Sequence, residues 1–378
     1  MSTFDVIVVG VGAMGASTCH HLAKRGVRVL GLEQFDIPHA LGSSTGFSRM
    51  IRMAYYEHPD YVPLLRRAYE LWHELEAESG QKLLHLTSGL YIGRPDEELI
   101  RGSRQAAEQH QLPHELLDRR ELTARFPQFT VPDDHVAMIE PNAGFLLPEK
   151  VIATYADRAL RLGAELHGRE PVLDWSSSPA GVTLRTTRAT YEAAHVIFCG
   201  GAWSDRLLRD LYLNLTVTRQ VMGWVWPKQP QLFEMGTLPV WAIGYPDGSL
   251  HYGFPIIPDC PGLKIALHAP GPPTDPDRVA RDPQPGDEAT FRPALQKFLP
   301  SADGPLLAIR TCLYTNSPDH HFILDRHPQH ANVTLVCGFS GHGFKFTSII
   351  GQIMADLALE GMTNLPAQFL SLARFDKK

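Results

Sequence analysis

The chain has 378 residues, 44% apolar and 20% charged, with 35 basic against 41 acidic side chains and a formal net charge of −6. That length and composition exclude disorder and provide a full core for one large or two ordinary domains. No basic tract suits a nucleic acid, no apolar run nears the ~20 residues that cross a bilayer, and five cysteines without framework spacing suggest free thiols, so a cytoplasmic protein is expected.

Asp5-Val-Ile-Val-Val9 is a short β-branched run, the pattern of a strand buried on both faces. Gly10-Val-Gly12-Ala-Met-Gly15 follows, then a small-residue helix through Cys19 and Leu22, stopped by Lys24-Arg25-Gly26. Val27 to Leu32 reads as a second strand ending at Glu33, which completes a βαβ unit. Helical spacing of Leu64, Leu65, Ala68, Leu71, Trp72 and Leu75 predicts a helix over 61–78, with Gly80 as its stop. Strands are expected near 83–86 and 89–92, and a helix over 97–109. A helix over 152–162 and strands at 164–166, 182–186 and 195–199 form a second α/β stretch. Residues 217–267 are strand-rich and aromatic, and 269–286 are a loop dense in Pro and Gly. Asn332 to Cys337 is a strand and Gly338 to Gly343 a glycine turn. A helix then carries Ile349, Ile350, Ile353, Met354 and Leu357 on one side.

In Gly10-x-Gly12-x-x-Gly15 the first glycine permits a tight turn, the second admits a pyrophosphate and the third lets helix pack on strand. The helix N-terminus offers free N–H groups to phosphate, and Glu33 suits the ribose hydroxyls of an AMP half. This motif alone leaves FAD and NAD both open. A second glycine turn, Gly338-Phe-Ser-Gly341-His342-Gly343-Phe344-Lys345, enters a helix some 330 residues later and suits a cofactor with an extended second half, such as a flavin. The histidine pairs His20-His21 and His320-His321 lack HExxH or paired CxxC context, so no metal site is expected.

These motifs, with Gly42-Ser43, Arg49-x-x-Arg52-x-x-Tyr55, Glu140-Pro-Asn-x-Gly144, Gly201-Ala-Trp203, Tyr252-Gly-Phe-Pro255, Lys264-x3-His268 and Cys312-x-Tyr314-Thr, run in order through the chain. The whole resembles the monomeric sarcosine oxidase and N-methyltryptophan oxidase family. The resemblance implies an α/β (α+β) protein of the glutathione-reductase and D-amino-acid-oxidase type. A Rossmann-like FAD-binding domain would comprise 1–85, 150–218 and 318–378, and an antiparallel-sheet substrate domain 86–149 and 219–317. It implies FAD bound covalently through Cys312, whose thiolate Arg310 would favour. Gly10, Gly12, Gly15, Glu33, Ser43, Arg49, Val172, Gly341, His342, Gly343, Phe344 and Lys345 are the other implied cofactor residues.

By the same resemblance Arg52 and Lys345 clamp a substrate carboxylate, which needs cationic partners once desolvated. Lys264 serves oxygen reduction, Arg49 lies near the flavin, and Tyr252, His268 and Tyr314 line the active site. Ile243 stands where sarcosine oxidases have a pocket Met. With Asn316-Ser-Pro, it suggests tolerance of substrates larger than sarcosine. Departures are Ser44-Thr45 for a His pair and Phe47 for an acid. The implied activity is oxidation of a small secondary-amine amino acid to an imine, then aldehyde plus amine, with molecular oxygen reduced to hydrogen peroxide by a monomer. A same-fold dehydrogenase with a non-oxygen acceptor and a non-enzymatic nucleotide-binding regulator are the alternatives.

Overall fold

A computed structural model describes residues 2–375. Strands Glu165–His167, Val29–Leu32, Ser2–Val9, Thr190–Phe198 and Val333–Cys337 lie side by side and parallel, and Ile323–Arg326 closes the edge antiparallel. Their β-branched residues are buried on both faces, as at Val6, Ile7, Val8 and Val196, which is what a covered parallel sheet requires. The hairpin Val172–Ser178 and Gly181–Thr186 joins the first half of Thr190–Phe198. Helices Ala13–Lys24 and Thr347–Glu360 pack so closely that a Cβ at Gly351 would stand 2.2 Å from Ser17 Oγ.

The second sheet runs in the order Leu306–Asn316, Thr216–Val225, Leu263–His268, Leu250–Phe254, Val240–Gly244, Gly89–Gly93, Val136–Glu140 and Glu115–Leu117. All its pairings are antiparallel except Val240–Gly244 with Gly89–Gly93. Period-two alternation gives it two different faces. Trp241, Ile243, Leu263 and Ile265 form a core with Phe291, Leu295 and Phe298 around the helix Arg292–Phe298. On the opposite face Tyr252 pairs with Ala266 and Phe254 with Lys264. A third, three-stranded sheet joins Arg49–Ile51, Gly144–Leu146 and Leu84–Leu86.

The fold class expected from the sequence is the one observed. The strand Leu306–Asn316 lay outside the expected elements because it is an edge strand whose first half is largely exposed, leaving no apolar periodicity to read. The helix expected from Ile152 begins at Pro148, whose fixed φ suits a first helical position. The late glycine turn passes first through a single 3₁₀ turn, Phe344–Phe346, which carries Lys345 into the interior. Among the described residues no helix is long and apolar enough to cross a membrane.

Candidate active site

The three early glycines are under different steric demands. A Cβ on Gly15 would stand 1.7 Å from Gly10 O, and one on Gly10, whose φ is +92°, 2.4 Å from Cys199 O. At Gly12 a Cβ would meet nothing within 4 Å, because that residue faces open space. The first and third glycines therefore close the turn, while the second leaves room for a ligand against the backbone. Glu33, buried at the end of its strand, accepts from Val11 N–H at 2.8 Å and Phe35 N–H at 3.0 Å.

A cavity of about 580 Å³ begins at this turn. Gly10, Gly12, Glu33, Ser43, Val172, Arg49, Cys312, Tyr314, Tyr252, Gly341 and Gly343 all line it. Gly341 has φ +81°, and a Cβ there would lie 2.3 Å from the Tyr314 ring, so the second glycine turn also lets backbone approach the cavity. Phe344 lines it as well.

Arg52, His268, His342 and Lys345 line the same cavity. Arg52 is buried, and one guanidinium nitrogen reaches both Glu57 oxygens at 2.7 Å. The guanidinium also lies over the Tyr55 and Tyr56 rings, 4.4 and 4.5 Å from their centroids. Arg52 holds Glu57 down at about 2 against the opposing pull of burial. Lys345 donates to His342 O at 2.7 Å, and burial together with Arg52 brings its pKa to about 7. His342 Nε2 faces His320 O at 2.9 Å and Nδ1 faces the Tyr55 hydroxyl at 2.5 Å; burial pushes this imidazole to about 3, so it is neutral. His268 lies 3.2 Å from the Tyr314 hydroxyl and is likewise lowered, to about 4.

Two expectations need correction. Ile243 does not line the cavity: strand alternation turns it into the opposite core, and its neighbour Ala242 faces the cavity instead. The cations acting on Cys312 are Arg49 and Lys264, whereas Arg310 stacks on Phe47 at 4.2 Å; burial dominates and raises the thiol. Lys264 stands behind the wall, fully buried, donating to Gly46 O at 2.8 Å and Ser48 O at 2.7 Å.

Residues 5–357 match the FAD-dependent oxidoreductase family. The chain belongs to that family. Its relatives include a monomeric sarcosine oxidase of Streptomyces avermitilis, 43% identical over 96% of both chains. An N-methyl-L-tryptophan oxidase of Yersinia pestis is 33% identical over 98% of this chain and 99% of its own. Among solved structures, the open form of NikD, an unusual amino acid oxidase essential for nikkomycin biosynthesis, superposes with TM-score 0.86 at 26% identity, covering 98% of each chain.

The residues present fit the FAD of an FAD-dependent oxidoreductase: the open side of Gly12, the buried carboxylate of Glu33 and a cavity continuing to a second glycine turn are what a long dinucleotide needs. Gly42-Ser43-Ser44-Thr45-Gly46 spells a nucleophile-elbow pattern, yet it is a loop that joins no strand to a helix. Asp210, His327 and His330 cluster within 4.8 Å. Gln329 N–H reaches His327 Nδ1 at 3.2 Å, which leaves the ring proton on Nε2, donated to Asp210 at 2.8 Å, a hydrogen-bonded pair rather than a ligand set.

Glu57 and Tyr91 carry no signal in the sequence, and Glu140 stands there only as a motif residue without a role. Glu140 is buried, accepts from Met53 N–H and the Tyr91 hydroxyl, and is raised by desolvation. Glu57 was readable only as a surface acid before a Pro-Asp turn. Its place beside Arg52 depends on the fold of residues 52–57.

Proposed function

We propose that this chain is an FAD-dependent oxidase of N-methyl and other secondary amino acids, sarcosine-type. The amine is oxidised to an imine, which water splits into aldehyde and primary amine, and O2 is reduced to hydrogen peroxide. The observation that carries the reading is that one cavity joins the phosphate-type turn at Gly10–Gly15 to two buried cations, Arg52 and Lys345. Bound FAD supplies the two-electron carrier between amine and oxygen. Domain limits of 1–85, 150–218 and 318–378 against 86–149 and 219–317 belong to the same proposal.

The chain's own groups do the binding. Arg52 and Lys345 receive the carboxylate, with Glu57 as the anion that the substrate displaces from Arg52. His268 and His342, both neutral near pH 7, add no charge against the amine, and His268 is a base beside the Tyr314 hydroxyl. Because Lys345 titrates near 7, its charge is present below that pH and lost above it. Affinity for a carboxylate inhibitor without an amine therefore falls as pH rises through about 7, by at most roughly tenfold per unit. Titration of the flavin spectrum with such an inhibitor checks this; a flat profile across that pH range removes the role of Lys345.

We propose that FAD is attached through Cys312, whose buried thiol lines the cavity near Arg49 and Lys264. Acid precipitation should leave the yellow colour with the polypeptide, and Cys312→Ser should send it to the supernatant. A Cys312→Ser protein that still precipitates yellow rejects the attachment site.

Leu99, Ala242 and Leu250 are apolar lining residues of the cavity, and Ala242 among them is small. This supports acceptance of a side chain larger than the hydrogen of sarcosine. Peroxide release from a panel of N-methyl amino acids, ranked by kcat/KM, tests function and size together: release with N-methylalanine is expected, and no release from any member rejects the function. The oxidase reading takes Lys264 as the buried cation that serves oxygen reduction; one observation favours the dehydrogenase reading, namely that Lys264 lies behind the cavity wall and does not line it. Oxygen uptake separates the two.

A further inference from the structure

Glu149, second residue of the helix Pro148–Arg161, gathers a neighbouring loop on a single oxygen. Its Oε1 accepts from Gly46 N–H at 2.7 Å, Phe47 N–H at 3.3 Å and the Thr45 hydroxyl at 3.3 Å. The loop needs such a hold, because Gly46 has φ +102° and Phe47, a bulky residue in the left-handed region, φ +65°. A Cβ at Gly46 would also stand 2.8 Å from Met222 Sδ.

The Gly46–Phe47 peptide is planar and trans, so its N–H and C=O point in opposite directions. With Phe47 N–H drawn to Glu149, Gly46 C=O must face away, and it meets Lys264 Nζ at 2.8 Å. The carbonyl of Ser48 faces the same ammonium at 2.7 Å and also takes Arg49 at 3.0 Å. Carboxylate, peptide and ammonium thus form a chain in which each bond polarises the next.

We propose that Glu149 is a positioning residue for Lys264: by holding the N–H side of the Gly46–Phe47 peptide it aims that peptide's carbonyl at the ammonium and sets where the cation stands. The inference rests on the reading of Lys264 as the cation that serves oxygen reduction. Burial first, then Arg49, hold the Lys264 pKa well below the usual lysine range, while Cys312, Cys260 and Glu149 act in the opposite direction. The Trp224 and Phe254 rings flank the ammonium at 5.6 and 4.7 Å. Loss of the carboxylate therefore both loosens the carbonyl and lowers the pH at which Lys264 deprotonates.

The test compares Glu149→Ala, Glu149→Gln and Lys264→Met holoenzymes with wild type. In Glu149→Ala, reoxidation of substrate-reduced enzyme by O2 should slow about 10–100-fold, with anaerobic reduction by sarcosine changed less than about threefold. The alkaline limb of the reoxidation rate should move to lower pH, and amide hydrogen exchange over residues 45–48 should speed by about tenfold or more. Glu149→Gln keeps an acceptor oxygen and loses the charge, so it should show the same pH displacement with near-normal exchange. If the alanine variant does not fold, the pH limb of the glutamine variant decides. Reoxidation within about twofold of wild type with an unmoved limb in the Glu149 variants, beside a slow Lys264→Met, overturns the role of Glu149 and leaves Lys264 standing. Equal slowing of both half-reactions overturns it too. Normal reoxidation in Lys264→Met overturns the underlying reading.

Discussion

Lys264→Met should slow reoxidation by O2 by about 10²–10³-fold, the scale of losing one preorganised electrostatic stabiliser. The first electron transferred to oxygen creates an anion, and a fixed cation nearby lowers the cost of forming it. Lys264 is suited to that task because it is already dry and needs no rearrangement: its ammonium is buried, bound by two carbonyls and flanked by two aromatic faces. Methionine matches its length and apolar stem without the charge, so the carbonyls of Gly46 and Ser48 lose a donor while the packing is kept. Anaerobic reduction by substrate should change little, because in the proposed function the carboxylate rests on Arg52 and Lys345 and not on Lys264. Stopped-flow measurement of the two half-reactions separates them. Equal slowing of both would assign Lys264 a purely structural role.

Arg52→Ala should raise KM for sarcosine-like acids by at least about 100-fold. Removing one member of a buried ion pair commonly costs ~3–5 kcal/mol, because the remaining charge is left unpaired. Here the variant leaves Glu57 without its main partner, and Glu57 then faces Lys345 and His342 alone. The substrate carboxylate loses a cation and meets an uncompensated anion. Methyl esters should lose much less, because they carry no charge for Arg52 to receive. A comparison of acid and ester kcat/KM in wild type and variant isolates the charge term; parallel losses for both would place Arg52 outside the carboxylate site.

Legibility from the sequence followed the range of the interactions. The first βαβ unit was readable because strand, glycine turn, helix and second strand follow one another directly in the chain, and the apolar stripe of the helix Tyr61–Ser79 is periodic in the chain itself. The edge strand Leu306–Asn316 was not, since half of it faces solvent. The family resemblance puts Ile243 in the pocket, whereas the pleat decides which of two neighbours faces a cavity, and Ala242 does. Glu149 escaped notice because only the long-range fold brings it the turned loop at Gly46, and Glu57 because its pairing with Arg52 depends on the irregular path of residues 52–57, which follows no helical or strand period.

In the proposed function this chain passes electrons from a secondary-amine amino acid to oxygen. Sarcosine or a larger N-methyl amino acid, mixed anaerobically with the purified yellow protein, tests it most directly through the visible absorbance. The flavin colour should be bleached, and admitting air should restore it with release of hydrogen peroxide. Colour unchanged by every secondary amine, or bleached and then indifferent to air, would contradict that function.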